Sequence, residues 1–217
     1  MKEPLIYFLE RTTPLGALAR LQRQRQLEKK FRRWQKSGGT CPMPKLGKQQ
    51  VVIDYIKKFS PDVFIETGTY RGKMIYAVMP HISEIYSIEL DQTHFRNADR
   101  RFAGYRNIHI IQGQSGRVLP EIIKDIDAKC LFWLDAHFSG GSTAKGDLRT
   151  PIMQEIECIL RHKRAAEHIV LIDDARLFIG RNDYPTLQAL KEFVLHLRPG
   201  WVFEVENDII RTHSNAK

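Results

Sequence analysis

Acidic residues stand at the ends of four of the five apolar segments in the middle of the chain. They are Glu66 after "VFI", Glu89 after "YSI", Asp135 after "FWL", and the pair Asp173-Asp174 after "VLI". A single acid at such a place could serve only as a helix cap or a turn residue. Four in matching positions indicate a binding site, because the carboxyl ends of parallel strands meet at one edge of a sheet, where ligands bind.

The elements that must position these acids are strands alternating with helices. Candidate strands from about residue 49 onward read "VFIET", "EIYSIEL", "NIHIIQG", "CLFWLDA" and "HIVLIDDA", with helix-like stretches between them. This alternation is typical of a parallel sheet covered on both faces. The last two segments, "WVFEVEN" and "IIRTH", meet at Asn207-Asp208, which suits a hairpin. We predict an α/β, Rossmann-like, doubly wound and mainly parallel sheet that ends in an antiparallel hairpin.

The first strand leads into a glycine-containing stretch, "ETGTYRGK". Gly68 and Gly72 allow a tight turn and a close approach of the backbone to a ligand. Their G-x-x-x-G spacing is not the G-x-G-x-x-G spacing of dinucleotide-binding proteins. Glu89 ends the next strand, 23 positions after Glu66, which is where an acid accepts hydrogen bonds from ribose hydroxyls. Together these features indicate a cofactor that contains adenosine.

From Val51 to Phe178 the sequence resembles the class I S-adenosylmethionine-dependent methyltransferases, in particular the small metal-dependent O-methyltransferases of the catechol, caffeoyl-CoA and macrocin type. The resemblance is carried, in order, by "IETGTYRGK", "YSIEL", "GQSGRVLPEI", "FWLDAH" and "VLIDDARLF". It implies S-adenosylmethionine as the cofactor. The cofactor-binding residues that it implies are Glu66, Thr67, Gly68, Tyr70, Gly72, Glu89, Gln114, Ser115 and Asp135. Gln114 departs from the family, which commonly has an acid there.

The same resemblance implies a divalent cation, Mg²⁺ or a similar hard ion, held by Asp135, Asp173 and Asp174. Oxygen ligands suit such an ion, which keeps other positions for water or substrate. A bound cation would lower the pKa of the acceptor hydroxyl and orient it toward the methyl group. Asp135 therefore counts among the predicted catalytic residues.

The general base is where the sequence departs most from the family. Catechol-type enzymes have a lysine three residues after the metal-binding Asp, and Phe138 occupies that position here. His137 is the nearest substitute, and Lys145 is a second candidate. A structural histidine beside the cofactor would explain His137 equally well, so its role stays open.

A polar, glycine-rich stretch, "SGGSTAKGDLRTP", follows the fourth strand. It is longer than an ordinary connection of about 4–6 residues, so we expect either a lid over the substrate side or a plain surface insertion. Lys145 and Arg149 on this stretch, and Arg176 after Asp174, would suit an anionic acceptor such as a sugar phosphate or an acidic glycan. We predict Arg149 and Arg176 as substrate-binding residues.

The net charge of +9 is concentrated in the first 48 residues, which hold twelve Lys or Arg and three Asp or Glu. We therefore divide the chain into a basic helical extension, residues 1–48, and a neutral methyltransferase domain, residues 49–217. The extension could pack on the domain or on a second subunit to form a homodimer. It could also contact an anionic membrane peripherally. Nucleic acid is the least favoured of these partners.

Other classes of protein find less support. No run reaches the roughly 18 apolar residues of a membrane-spanning helix, and the N-terminus has no secretion signal, so we expect a cytoplasmic protein. Cys41, Cys130 and Cys158 are far apart and favour reduced thiols. Walker, nucleophile-elbow and zinc motifs are missing from the sequence. Two alternatives stay open: a metal-independent methyltransferase acting on RNA or another macromolecule, and a non-catalytic cofactor-binding module.

Overall fold

The computed structural model describes residues 14–39, 42–135 and 150–215. The chain divides into two compact units, Met1–Val51 and Val52–Lys217. The described helices and strands, in chain order, are α1 Pro14–Lys36, α2 Lys45–Phe59, β1 Val63–Thr67, α3 Lys73–Val78, β2 Glu84–Glu89, α4 Gln92–Phe102, β3 Ile108–Gln112, α5 Ser115–Ile123, β4 Cys130–Leu134, α6 Ile152–Arg161, β5 Ile169–Ile172, α7 Leu187–Leu197, β6 Trp201–Glu206 and β7 Ile209–Ser214. Two 3₁₀ turns, Ala165–Glu167 and Ala175–Leu177, flank β5.

The strands form one sheet in the order β3-β2-β1-β4-β5-β7-β6. The first five strands in this order are parallel to their neighbours, whereas β7 is antiparallel to both β5 and β6. The predicted mainly parallel sheet with a C-terminal hairpin is therefore confirmed. The strand order reverses between β1 and β4, and a ligand crevice forms at such a reversal in open α/β sheets.

Burial explains why the central strands read as continuous apolar runs. Every residue of β1, β4 and β5 is buried, as expected for parallel strands with helices on both faces. On one face, Leu119 of α5, Ile156 of α6 and Val194 of α7 belong to one apolar cluster with strand residues such as Phe132. This packing fixes the strand ends on which the acids stand.

The first unit contains α1, a helix with basic residues at its C-terminal end. The rings of Phe31 and Trp34, one turn apart, stack at 5.8 Å. Among the described residues, no helix is both long and apolar enough to cross a membrane. Cys130 and Cys158 are free thiols, whereas Cys41 lies outside the described residues.

Candidate functional site

The carboxyl ends of β1, β4 and β5 are aligned by hydrogen bonds that continue the parallel ladder. The Asp135 N–H donates to the Thr67 carbonyl oxygen at 3.1 Å, and the Asp173 N–H donates to the Leu134 carbonyl oxygen at 3.0 Å. Each bond extends a strand pair by one residue beyond its last regular position. The acids that follow three separate apolar runs are therefore brought to one edge of the sheet.

The loop between β1 and α3 depends on left-handed backbone conformations. Gly68 has φ 94°, Tyr70 has φ 45° and Gly72 has φ 61°. A Cβ atom added to Gly72 would lie 2.6 Å from Cε2 of Phe102, so α4 packs directly against this turn. The Gly68 N–H donates to the Ile88 carbonyl oxygen at 2.9 Å. The backbone of the loop is thus held against the end of β2.

The Glu89 side chain connects the end of β2 to the loop between β1 and α3. Its Oε2 accepts a hydrogen bond from the Tyr70 N–H at 2.6 Å, and its Oε1 accepts one from the Asp91 N–H at 2.9 Å. The residue is 7% exposed. Each carboxylate oxygen has a second lone pair, so the side chain can still accept hydrogen bonds from ligand hydroxyls. The ribose-binding role of Glu89 stays a prediction.

Glu66 is buried under the loop between β1 and α3. Its side chain does not line the surface of the crevice, since the residue is only 1% exposed. Its Oε1 accepts a hydrogen bond from the Ser87 hydroxyl at 2.6 Å, and the Ser87 and Thr69 hydroxyls are 2.5 Å apart. Burial raises the pKa of Glu66 to about 8, although the Ser87 hydrogen bond opposes the rise. This chain of polar groups connects β1, β2 and the loop, so Glu66 supports the loop from within.

Asp135, Asp173 and Asp174 form the acidic cluster of the site. Each offers one carboxylate oxygen, and the three oxygens lie within 4.8 Å of one another. Asp173 and Asp174 are buried, and Oδ1 of Asp173 accepts a hydrogen bond from the Asp174 N–H at 2.8 Å. Three carboxylates at this separation are a donor set that fits a hard divalent cation with positions left for water or substrate oxygens. The ligands predicted from the sequence are therefore assembled in one place.

Arg176 lies beside this cluster and is engaged with acids of the chain itself. Its Nη1 donates to Oδ1 of Asp174 at 2.8 Å and also contacts Oδ2 of Asp208. The side chain is 39% exposed, so part of the guanidinium reaches solvent. Binding of an anionic acceptor by Arg176 stays a prediction, and it would have to coexist with these two ion pairs.

Gln114 and Ser115 follow the end of β3, where α5 begins. Gln114 is the N-cap residue of α5, but its side chain makes no capping hydrogen bond, and Ser115 is buried. A capping residue whose side chain does not cap is available to contact a ligand. Contact of Gln114 and Ser115 with the adenine stays a prediction, and both residues lie just after the end of β3.

Glu155, in the first turn of α6, is a buried acid that the sequence analysis did not identify. It is 1% exposed, and burial raises its pKa to about 7, while Ser115 and Thr67 lower it and Asp135 raises it. Oε1 of Glu155 and the Thr67 hydroxyl are nevertheless left without a hydrogen bond of ordinary geometry among the described residues. A sequence signal did exist, since Glu155 interrupts the apolar face formed by Ile152, Ile156 and Ile159.

Three of the predicted residues lie outside the described part of the chain. They are the base candidates His137 and Lys145 and the substrate-binding candidate Arg149. The stretch between residues 136 and 149, which we expect to form a lid or an insertion, is outside it too. The remaining predicted residues fall at the carboxyl ends of β1 to β5 or directly after them.

Comparison with known proteins supports the predicted methyltransferase fold. No protein-family model and no curated protein matches the sequence. The structure is similar to the Podospora anserina methyltransferase PaMTH1 solved with S-adenosylhomocysteine, with a TM-score of 0.57, 18% identity, and coverage of 88% of this chain and 87% of that one. It is also similar to a Bacillus cereus O-methyltransferase in complex with S-adenosylhomocysteine, with a TM-score of 0.56, 11% identity, and coverage of 87% and 90%.

A further similar structure is an rRNA methylase from Streptococcus thermophilus, with a TM-score of 0.50, 12% identity, and coverage of 76% of this chain and 94% of that one. These three methyltransferases share their architecture with this chain, and one fold can host more than one chemistry. The sheet order and these similarities show that the chain has the Rossmann-like fold of class I methyltransferases, with a structural resemblance to the small O-methyltransferases.

Proposed function

We propose that the chain is an S-adenosylmethionine-dependent methyltransferase that transfers the methyl group to a hydroxyl oxygen of a small molecule or saccharide, with the help of a divalent cation. The observation that carries the proposal is the position of the three-carboxylate cluster next to the loop that Glu89 holds. A ribose-binding acid and a cation-binding cluster at one sheet edge are what this reaction requires.

The residues of the chain would mainly position the reactants. S-adenosylmethionine, when bound, supplies a methyl group that is already activated on its sulfonium sulfur. Glu89 would hold the ribose, and Ser115 and Gln114 would contact the adenine. The backbone from Thr67 through Gly72 would face the methionine part, supported from below by Glu66. Holding both reactants in line is itself a large part of the rate acceleration of a two-substrate reaction.

Asp135, Asp173 and Asp174 would hold the divalent cation, which we propose to be Mg²⁺. Bound there, the ion would favour the ionised form of an acceptor hydroxyl. His137 remains the first candidate for the general base and Lys145 the second. Arg149, with the exposed part of Arg176, would favour an acceptor that carries a negative charge.

A metal-independent methyltransferase acting on RNA or another macromolecule is the second candidate. The observation that favours it is the ion pair between Arg176 and Asp174, because a guanidinium already compensates one of the three carboxylates. The basic segment of residues 1–48 would then contact the macromolecule, whereas under the first proposal it would form a homodimer or touch an anionic membrane. Both proposals place the protein in the cytoplasm.

Calorimetry distinguishes the metal-dependent O-methyltransferase from the metal-independent methyltransferase. S-adenosylmethionine and Mn²⁺ are titrated separately into the wild type and into Asp173→Asn, and the cofactor titration is repeated in EDTA. Cofactor binding together with a Mn²⁺ heat that Asp173→Asn abolishes supports the metal-dependent enzyme. Cofactor binding without any Mn²⁺ heat supports the second candidate. Failure of the wild type to bind the cofactor under all conditions contradicts both.

Transfer to an acceptor is measured next with S-adenosylmethionine that carries a tritiated methyl group. Hydroxylated aromatic compounds, sugar phosphates, acidic oligosaccharides and RNA are offered in parallel, each with Mg²⁺ and with EDTA. Label on a small hydroxylated acceptor that EDTA prevents is the result expected. Label on RNA that EDTA does not prevent would replace the first proposal with the second.

A further inference from the structure

The turn between β6 and β7 contacts the acidic cluster through Arg176. Asp208 of this turn accepts a hydrogen bond from the Arg176 backbone N–H through Oδ1 at 2.9 Å, and its Oδ2 contacts Nη1 of the same residue. The same Nη1 donates to Oδ1 of Asp174 at 2.8 Å. One guanidinium nitrogen is therefore shared between Asp208 and a predicted metal ligand.

The backbone holds Asp208 in this place. Asn207 and Asp208 have φ 53° and 67°, the pattern of a type I′ turn, whose twist matches that of the two strands it joins. The Asp208 carbonyl oxygen accepts a hydrogen bond from the Ala175 N–H at 2.9 Å, and the Asp208 side chain is only 1% exposed. Asp208 is thus fixed both by its own turn and by the residue that follows Asp174.

The sharing of the Arg176 guanidinium between Asp208 and Asp174 affects how much of the negative charge of Asp174 is compensated. A guanidinium that faces one carboxylate can form two parallel hydrogen bonds with it, which is among the strongest ion pairs in proteins. Such a pair would compensate the charge of Asp174 and compete with a cation for its oxygens. Because Asp208 binds both the Arg176 backbone N–H and Nη1, the guanidinium is partly occupied elsewhere and Asp174 retains charge for a cation.

We propose that Asp208 is a positioning residue for the divalent-cation site. It acts through Arg176, by holding the guanidinium between two carboxylates so that Asp174 can serve as a ligand. The inference rests on the proposed function for the existence of that cation. It adds a residue of the C-terminal hairpin, 34 positions after Asp174, to a site otherwise built from the ends of β4 and β5.

Mn²⁺ alone, titrated by calorimetry into the full chain, tests the proposal. Asp208→Asn retains a residue that tolerates the left-handed conformation but removes the charge that competes for Arg176. We expect its Mn²⁺ dissociation constant to rise at least tenfold, because Arg176 then pairs with Asp174 alone. The double variant Asp208→Asn with Arg176→Gln is expected to recover most of the lost affinity, since the competing guanidinium is gone.

Asp183→Asn is the matched control. Asn182 and Asp183 form a second Asn-Asp pair with positive φ, 56° and 67°, and both residues are exposed. We expect this variant to bind Mn²⁺ as the wild type does. Melting temperatures of all variants are measured alongside, and a variant that does not fold is replaced by Asp208→Ser, which also removes the charge.

The outcomes separate the inference from the proposed function. Wild-type Mn²⁺ affinity in Asp208→Asn, while Asp173→Asn loses it, overturns the inference and leaves the metal site standing. A double variant that binds as weakly as Asp208→Asn also overturns it, because a purely structural role of Asp208 predicts no recovery. If the wild type binds no Mn²⁺, both the metal and the inference fail, and cofactor binding decides separately whether the methyltransferase proposal survives.

Discussion

Oε2 of Glu89 accepts a hydrogen bond of 2.6 Å from the backbone N–H of Tyr70. The bond connects the last residue of β2 with the centre of the loop that follows β1, nineteen residues earlier in the chain. Tyr70 has a positive φ of 45°, a conformation that costs free energy for a residue with a side chain and persists when its surroundings hold it. Glu89 thus fixes the loop, and under the proposed function the same carboxylate would also bind the ribose.

Glu89→Gln is expected to weaken S-adenosylmethionine binding at least about tenfold. The amide replaces one acceptor oxygen with a donor, so the variant loses a hydrogen bond to a charged acceptor, and such bonds are worth about 1.5–3 kcal/mol. Calorimetric titration of the cofactor measures the change. Glu84→Gln, at the opposite end of the same strand, is the control and should bind as the wild type does. Equal dissociation constants for both variants would exclude the ribose-binding role.

Asp135→Asn should impair both cofactor and cation binding, whereas Asp173→Asn should impair only cation binding. Asp135 is the one acid of the cluster that also belongs to the predicted cofactor set, and it is hydrogen-bonded through its N–H to Thr67 next to the glycine loop. The measurement is a pair of titrations for each variant, one with S-adenosylmethionine in EDTA and one with Mn²⁺ alone. Unchanged cofactor affinity in Asp135→Asn would confine Asp135 to the cation.

Ionisation of Glu155 should destabilise the folded protein as the pH rises. Burial raises the pKa of Glu155 from 4.5 to about 7, so between these values the folded state binds more protons than the unfolded state, and the free energy of unfolding falls with increasing pH. Glu155→Gln removes this contribution. We expect the variant to melt about 3 °C or more above the wild type at pH 8 and within about 1 °C of it at pH 5.

The measured quantity is the difference in melting temperature between Glu155→Gln and the wild type at each pH, because other groups of the protein also titrate. Glu66, whose pKa is raised to about 8, acts in the same direction, whereas burial and the neighbouring His162 lower the pKa of His168 to about 3, which costs stability below pH 6.5. Glu157→Gln, on the same helix but half exposed and paired with Arg161, is the control and should show no such trend. A constant difference between Glu155→Gln and the wild type from pH 5 to 8 would contradict the prediction.

Much of the fold could be predicted because its signals are local. Each central strand is a continuous apolar run that ends in an acid or a glycine, and β1 matches its predicted bounds, Val63–Thr67, to the residue. The members of the acidic cluster could be located for the same reason, since Asp135, Asp173 and Asp174 directly follow buried strands. The separation of their oxygens could not be predicted, because it depends on the register of β1, β4 and β5.

The residues that the sequence did not reveal act through tertiary contacts. Asp208 reads as an ordinary turn residue, and only the packing of the hairpin shows that it contacts Arg176. Ser87 lies in the middle of β2 and gains its role from Glu66 on the neighbouring strand. The position of Arg176 just after Asp174 could not reveal its contact with Asp208, which is 32 residues away in the chain. Local sequence indicates where a polar group stands and says little about which group it meets.

Gly72→Ala is expected to destabilise the protein by about 2–3 kcal/mol. Gly72 has φ 61°, which costs about 1–2 kcal/mol for a residue with a Cβ atom, and the new Cβ would lie 2.6 Å from the ring of Phe102, so α4 would have to move. Denaturation by urea measures the loss, and cofactor titration should show weaker binding because the same turn carries the loop. Gly104→Ala is the control, since an added Cβ meets nothing within 4 Å there, and its effect should stay within about 0.5 kcal/mol. If Gly72→Ala were as stable as Gly104→Ala, neither the left-handed turn nor the close contact with Phe102 could be what fixes the loop.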